Sequence, residues 1–253
     1  MSSCIFTNDD NVSILLLNHC FTDDFKKRNN NEILFRRINT FLIKNNIIKN
    51  NIIDLGAWIG DNSIPWAKNI NGIVYAIDPS ADNCNFIKKM CELNEIKNIN
   101  ILQNAISNTN EMLSTNDDIN HCSFVYRYCG LNGINKIISV SLDYLYENKL
   151  IENIGYIHLD VEGMEHKVLQ GSSMLIDTDR PIISFETHLE IDDCAGILLY
   201  LTNKQYKVFL IDEILPMCRH DCRNSFAFPN EIYNEDLIKN INNFIGINIL
   251  QEQ

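Results

Sequence analysis

Three short apolar runs in this chain each stop on an aspartate: "NIIDLG" at Asp54, "GIVYAIDPS" at Asp78 and "GYIHLD" at Asp160. Runs of this length without polar alternation are the pattern of strands buried on both faces, as in a parallel sheet. Helical spacing separates them. "EILFRRINTFLIKNN" carries Ile33, Leu34, Ile38, Phe41 and Leu42 on one stripe, and "DNSIPWAKNI" and "NCNFIKKMCELNEI" continue the alternation. "INILQNAIS" reads as a further strand and "RPIISFETH" as another, followed by a helix over "CAGILLYLTNKQY". "KVFLID" and "NSFAFP" are strands with no helix between them, so one is expected to run antiparallel near the sheet's end. "NEDLIKNINNFIG" is a closing helix, and residues 1 to about 30 read as irregular. Strand–helix alternation requires right-handed crossovers, giving an α/β fold with a mainly parallel central sheet and helices on both faces.

In an open parallel sheet, ligands bind at the carboxyl ends of the strands. The first turn reads Asp54-Leu-Gly56-Ala57-Trp58-Ile-Gly60. A dinucleotide site would need G-x-G-x-x-G, and an acid two positions before the first glycine would repel a pyrophosphate. The acid instead suits a ligand with a cationic end, and the glycines allow close backbone approach. S-adenosylmethionine, with an ammonium, a sulfonium and a ribose, is such a ligand. Asp78 follows one strand–helix–strand unit later, where a carboxylate can accept both ribose hydroxyls. As a plain turn residue, Asp78-Pro79 would also be good chemistry.

The net charge of −12 argues against a nucleic-acid partner, which would need clustered Lys and Arg to neutralise phosphates. No apolar run is long enough for a membrane span, and "VSILLL" lacks the basic flank of a secretory signal, so a cytoplasmic protein is expected. The nine cysteines form no regular framework and are expected to be reduced. "CRHDC", Cys218 to Cys222, lacks the repeated ligand pairs of a zinc site, so no metal ligand is assigned there. His19, His121 and His220 have no neighbours in sequence that make them more than ordinary polar residues.

Taken in order, "IIDLGAWIGDNS", "VYAIDPS", "LQNAIS", "IHLDVEGMEHKVLQGS" and "RPIISFETH" resemble the FkbM-type methyltransferase family over roughly residues 50 to 190, with "DVEGME" the most specific segment. The resemblance implies a Rossmann-like class I methyltransferase fold and methyl transfer from S-adenosylmethionine to a hydroxyl, commonly of a sugar or another small molecule. It implies a methyltransferase domain over 50–229, an N-terminal segment and helix packing on it over 1–49, and a C-terminal helix over 230–253. The cofactor would meet Asp54, Gly56, Ala57, Trp58, Gly60, Asn62, Ser63, Asp78, Pro79, Asn104 and Ala105, the last two beside the adenine. The family usually has Asn where this chain has Trp58, which would wall the pocket instead.

Asp160 closes an apolar strand and should point into the crevice. Glu165 is expected to be a solvated acid at a helix N-terminus, where the dipole favours it. Glu186 ends the next strand with His188 two residues on. The base for the acceptor hydroxyl is open among Asp160, Glu186 and His188, and Asp160 with Glu186 could hold Mg2+, which prefers carboxylate oxygens. Two other readings compete: a methyltransferase-fold binding protein that lost its chemistry, and an NAD-dependent oxidoreductase.

Overall fold

The computed structural model describes residues 3–8, 11–115, 135–190, 192–215, 218–246 and 250–253; His121, Cys122 and Cys129 lie outside them. The opening segment, expected to be irregular, forms a hairpin and a helix. β1 (Ser3–Thr7) and β2 (Ser13–Leu17) pair antiparallel, and α1 (Thr22–Asn31) follows. Ile14 and Leu16 are buried with Phe86 and Met90. Asn94 locks the hairpin in place by accepting from the Leu15 amide and donating to the Leu15 carbonyl, each at 2.8 Å. A five-residue strand and a helix as polar as α1 leave too little apolar periodicity for sequence to reveal them.

α2 (Ile33–Lys44) buries Phe35, Ile38 and Leu42, the three-and-four spacing of its sequence. β3 (Asn51–Leu55) is buried at every position. The chain continues through α3 (Ser63–Asn69), β4 (Val74–Ile77), α4 (Ala81–Leu93) and β5 (Ile99–Leu102). The strand expected over "INILQNAIS" is broken, because the Asn104 amide turns back onto the Leu102 carbonyl at 3.2 Å. β6 (Ala105–Ile106) then joins a separate sheet with β7 (Glu111–Thr115) and β8 (Asn135–Val140), ordered β6-β8-β7. α5 (Leu142–Glu147), β9 (Ile154–Leu159), α6 (Glu165–Gln170), α7 (Ser173–Asp179), β10 (Ile182–His188) and α8 (Cys194–Asn203) come next. β11 (Tyr206–Ile211), β12 (Cys222–Pro229), α9 (Glu235–Ile245) and β13 (Leu250–Glu252) complete the described chain.

The main sheet has the order β13-β11-β12-β10-β9-β3-β4-β5. β5, β4, β3, β9 and β10 run parallel, and β12 lies antiparallel between β10 and β11. Side chains alternate between two cores. Ile53, Leu55, Tyr75 and Ile77 face Val168, Leu175 and Ile197, whereas Ile52 and Val74 face Phe35, Trp66 and Ile241. Helices thus cover both faces. The order reverses between β3 and β9, and an open sheet of this kind forms its ligand crevice at the carboxyl ends of those strands.

Candidate active site

Gly56 and Gly60 both have φ of +75°. A Cβ on Gly56 would stand 1.9 Å from the carbonyl oxygen of Asp160, and the Asp160 amide donates to the Leu55 carbonyl at 3.0 Å. The turn after β3 therefore rests directly on the backbone that leaves β9. Glycine alone meets both the left-handed backbone and the close approach. At Gly60 an added Cβ would press on Ile64 and Ile87, the nearest atom 3.1 Å away.

Asp54 lies beneath this turn, only 1% exposed. One carboxylate oxygen accepts a short hydrogen bond from Ser63, and the other, Oδ1, is buried with no hydrogen-bond partner in the described structure. Burial pushes this acid up to about 7, with Asp61 and Asp78 adding to the effect and Ser63 opposing it. Asp54 thus lies one layer below the turn.

Asp78 follows β4 and is also buried. Its Oδ1 accepts from the Ser80 amide at 2.8 Å and from Asn83 at 3.0 Å, and its Oδ2 accepts from the Trp58 amide at 2.9 Å. Burial raises it to about 6 against these bonds. Asp78 is therefore both a turn residue and a clamp on the glycine turn. Trp58 contributes that contact through its backbone, at φ of +45°. Asn tolerates this region much better than a bulky side chain such as that of Trp58. The Arg28 guanidinium sits 5.8 Å from the Trp58 ring centroid.

Ala57 is buried in the turn, and its amide donates to the Ile77 carbonyl at 3.1 Å. Asn62 is turned toward Arg36, whose guanidinium donates to its side-chain oxygen at 2.6 Å and to the Asp61 carboxylate at 2.7 Å. Gln103 donates to the Pro79 carbonyl at 3.5 Å, so the segment leading to Asn104 and Ala105 lies beside the end of β4.

Asp160 follows β9 with a fifth of its side chain exposed. Burial and the nearby Glu186 hold its carboxyl well above the usual range, against the pull of Arg28. Arg28 binds Glu32, stands 3.4 Å from Asp160, and lies 4.0 Å from Glu186. A guanidinium thus occupies the position between Asp160 and Glu186 that Mg2+ would need, and the expected Mg2+ pair does not fit. Sequence reading gave Arg28 no role in the site. The Arg28, Glu32, Arg36 spacing of four was its signal, though the helix breaks at Glu32.

His188 and Glu186 share one face of β10 with Cys222 of the paired strand. The His188 Nε2 is 3.4 Å from the Cys218 sulfur, and the hydrogen bond from Cys222, then His188, pulls the Cys218 thiol down to about 5. The cysteines' part in this cluster was missed, because their partners lie some thirty residues upstream. Glu165 corrects another expectation. It is 2% exposed, accepts from the Val161 amide at 3.1 Å and is pushed up to about 7 by burial. The turn over Val161–Met164, with Glu162 at φ of +54°, brings the Val161 amide within reach of the Glu165 carboxylate. A groove of about 470 Å3 near Lys49, Gly155 and Arg180 lies at the opposite ends of β3 and β9, away from the three aspartates.

The sequence pattern of the Methyltransferase FkbM domain matches residues 54–208, more than half of the chain. The chain belongs to this family. The matched segment opens on Asp54 and takes in Asp78, Asp160, Glu186 and His188. Among solved structures, the FkbM methyltransferase of Methylobacillus flagellatus KT is similar at 17% identity with a TM-score of 0.50, over 70% of this chain and 43% of that one. The present chain thus spans less than half the length of that FkbM relative. A precorrin-6y C5,15-methyltransferase from Geobacter metallireducens GS-15 is similar at 10% identity with a TM-score of 0.49, over 79% of this chain and 88% of that one. The magnesium protoporphyrin IX methyltransferase of Synechocystis PCC 6803 is similar at 13% identity with a TM-score of 0.48, over 85% of each chain. No curated protein sequence matches the chain. The fold of this FkbM-family chain is that of the class I methyltransferases, with α/β layers about a mostly parallel sheet.

Proposed function

We propose that this chain transfers a methyl group from S-adenosylmethionine to a hydroxyl of a small-molecule acceptor, a sugar or glycan. The observation that carries the reading is the contact between the Gly56 turn and Asp160 at the point where the strand order reverses. The donor set fits the cofactor. Asp54 and Asp78 make the crevice floor anionic, which favours a cationic ligand and disfavours a pyrophosphate. The buried, unpartnered Asp54 oxygen adds to that negative field. Backbone of the Gly56–Gly60 turn would hold the amino-acid end, and Asp78 would accept one ribose hydroxyl through its remaining lone pair. Asn104 and Ala105 would lie along the adenine.

S-adenosylmethionine supplies, when bound, a methyl group on a cationic sulfur. Asp160 is the residue for the acceptor. Its raised proton affinity and partial exposure suit a carboxylate that takes the hydroxyl proton as the oxygen gains the methyl group. Arg28 holds that carboxylate in place. Alignment of the two reactants carries the larger share of the rate, up to roughly 7–11 kcal/mol. General-base help adds on the order of a hundred- to ten-thousand-fold.

Titration calorimetry tests the first half. S-adenosylmethionine and its demethylated product should bind with micromolar-range affinity, about −8 kcal/mol. Binding of NAD with no heat from either of these would transfer the chain to the oxidoreductases. Mass spectrometry of sugar and polyol acceptors after incubation with cofactor tests the second half. Methylation only of amine or carbon acceptors would refute it.

A further inference from the structure

We propose that Glu186, His188, Cys218 and Cys222 form a binding site for Zn2+ beside the crevice. Their ligand atoms, one from each residue, lie within 4.8 Å of one another. The Cys218 sulfur is 3.4 Å from His188 Nε2 and 3.6 Å from Glu186 Oε1. Tetrahedral zinc, with bonds of about 2.3 Å to sulfur and about 2.0–2.1 Å to nitrogen or oxygen, sets sulfur roughly 3.6 Å from such a neighbour. The spacing is therefore that of ligands around a cation. Two thiolates with an imidazole also select Zn2+ over Mg2+ or Ca2+, which prefer oxygen.

The fold builds the set from two places. Glu186 and His188 alternate onto one face of β10, and the register pairs His188 with Cys222. The segment before β12 then bends Cys218 over that face, with the Cys222 amide donating to the Arg219 carbonyl at 3.0 Å. Cys218 and Cys222 are four apart, within the range of a zinc ligand pair. Sequence reading set this pair aside for want of a second pair, which the strand pairing supplies. His220, between them in sequence, is exposed and meets Glu190 at 3.1 Å instead.

Second partners orient the ligands. Asp192 accepts from the His188 amide at 2.6 Å and lies 3.2 Å from Nδ1, so the ring's other nitrogen is free to face the sulfur. A carboxylate behind the imidazole is the usual arrangement at zinc. Glu186 offers Oε1 to the thiol while Oε2 faces Arg28 at 4.0 Å. On binding, any proton still held by Cys218, Cys222 or the Glu186 carboxyl is released to solvent. Two thiolates, one carboxylate and Zn2+ leave a single negative charge, which Arg28 adjoins. All four positions come from protein, so the site is of the closed, structural kind that ties the end of β10 to the 218–222 segment.

The test is the zinc content of the chain purified under reducing conditions, by inductively coupled plasma mass spectrometry, with and without reconstitution by ZnCl2. About one zinc per chain is expected, falling to background in Cys218→Ser and in Cys222→Ser. Cobalt substitution should give a thiolate-to-cobalt charge-transfer band that both variants lose. Because buried Cys222→Ser could fail to fold, Cys218→Ser is decisive if its circular dichroism matches wild type. Asp192→Asn should weaken zinc at least about tenfold in competition with a chelator. No zinc after reconstitution, zinc retained by a folded Cys218→Ser, or a Cys218–Cys222 disulfide in chain purified with reductant would each overturn the proposal.

Discussion

Gly56 and Asp160 meet backbone to backbone: a Cβ on Gly56 would come within 1.9 Å of the Asp160 carbonyl oxygen. The contact couples the turn proposed for the cofactor to the residue proposed for the acceptor. Moving one moves the other. Gly56→Ala should therefore cost about 2 kcal/mol or more, from the left-handed backbone and the forced shift together. Denaturant titration reads the stability loss, and calorimetry should show cofactor affinity falling with it. An alanine variant of wild-type stability would mean that the turn has room the geometry denies it.

Arg28 stands among Glu32, Asp160 and Glu186. Removing one partner of a buried ion cluster leaves uncompensated charge, so Arg28→Met should destabilise by roughly 3–5 kcal/mol near neutral pH. Without the guanidinium, Asp160 and Glu186 hold protons more tightly still, and protonation relieves their repulsion. The penalty should be largest at alkaline pH and shrink as pH falls through about 8, where Glu186 takes up its proton. Urea midpoints of both proteins across that range measure it. A penalty independent of pH would point to lost packing instead.

Burial raises Asp54 to about 7 and Asp78 to about 6. For such acids the folded chain holds protons that the unfolded chain has released. Their contribution to stability is fully present below the unfolded value of about 3.9 and is lost as pH rises through about 6 to 7. A cationic cofactor has the opposite preference, since it favours the ionised acids. Thermal melts should therefore show the free chain losing stability from about pH 4 to about pH 7 while the shift induced by S-adenosylmethionine grows as the acids ionise. A cofactor shift that is flat or larger at the acidic end would contradict the anionic floor.

Glu165 is buried and accepts from the Val161 amide. Glu165→Gln keeps an acceptor oxygen and removes a charge that burial disfavours, so at about pH 8 it should be neutral or stabilising. Glu165→Ala leaves the amide unpaired, at a cost of about 1–3 kcal/mol. Chemical denaturation of the two variants separates these outcomes, and equal losses in both would assign the carboxylate a charge-dependent role.

The strands and their acids were legible because strands buried on both faces need unbroken apolar runs, and those runs end where the crevice begins. Asp54, Asp78 and Asp160 stand at or just past the ends of β3, β4 and β9 as the sequence predicts. Other features were hidden for physical reasons. β1, β2 and α1 are stabilised by contacts with α4, including the paired bonds of Asn94 to Leu15, and carry little periodicity of their own. Arg28 and Cys218 reach their partners only through tertiary packing, which residue spacing does not encode. Glu165 looks like a solvated helix acid because its burial depends on a left-handed turn at Glu162.

The most direct test of the account is turnover of Asp160→Asn with a sugar or polyol acceptor, measured beside its cofactor affinity. In the proposed reading Asp160, partly exposed and held by Arg28, serves the acceptor and not the cofactor. Cofactor affinity should stay within about tenfold, or 1.4 kcal/mol, while kcat falls by about a hundredfold or more. An Asp160→Asn variant that binds cofactor normally and turns over at the wild-type rate would contradict the account.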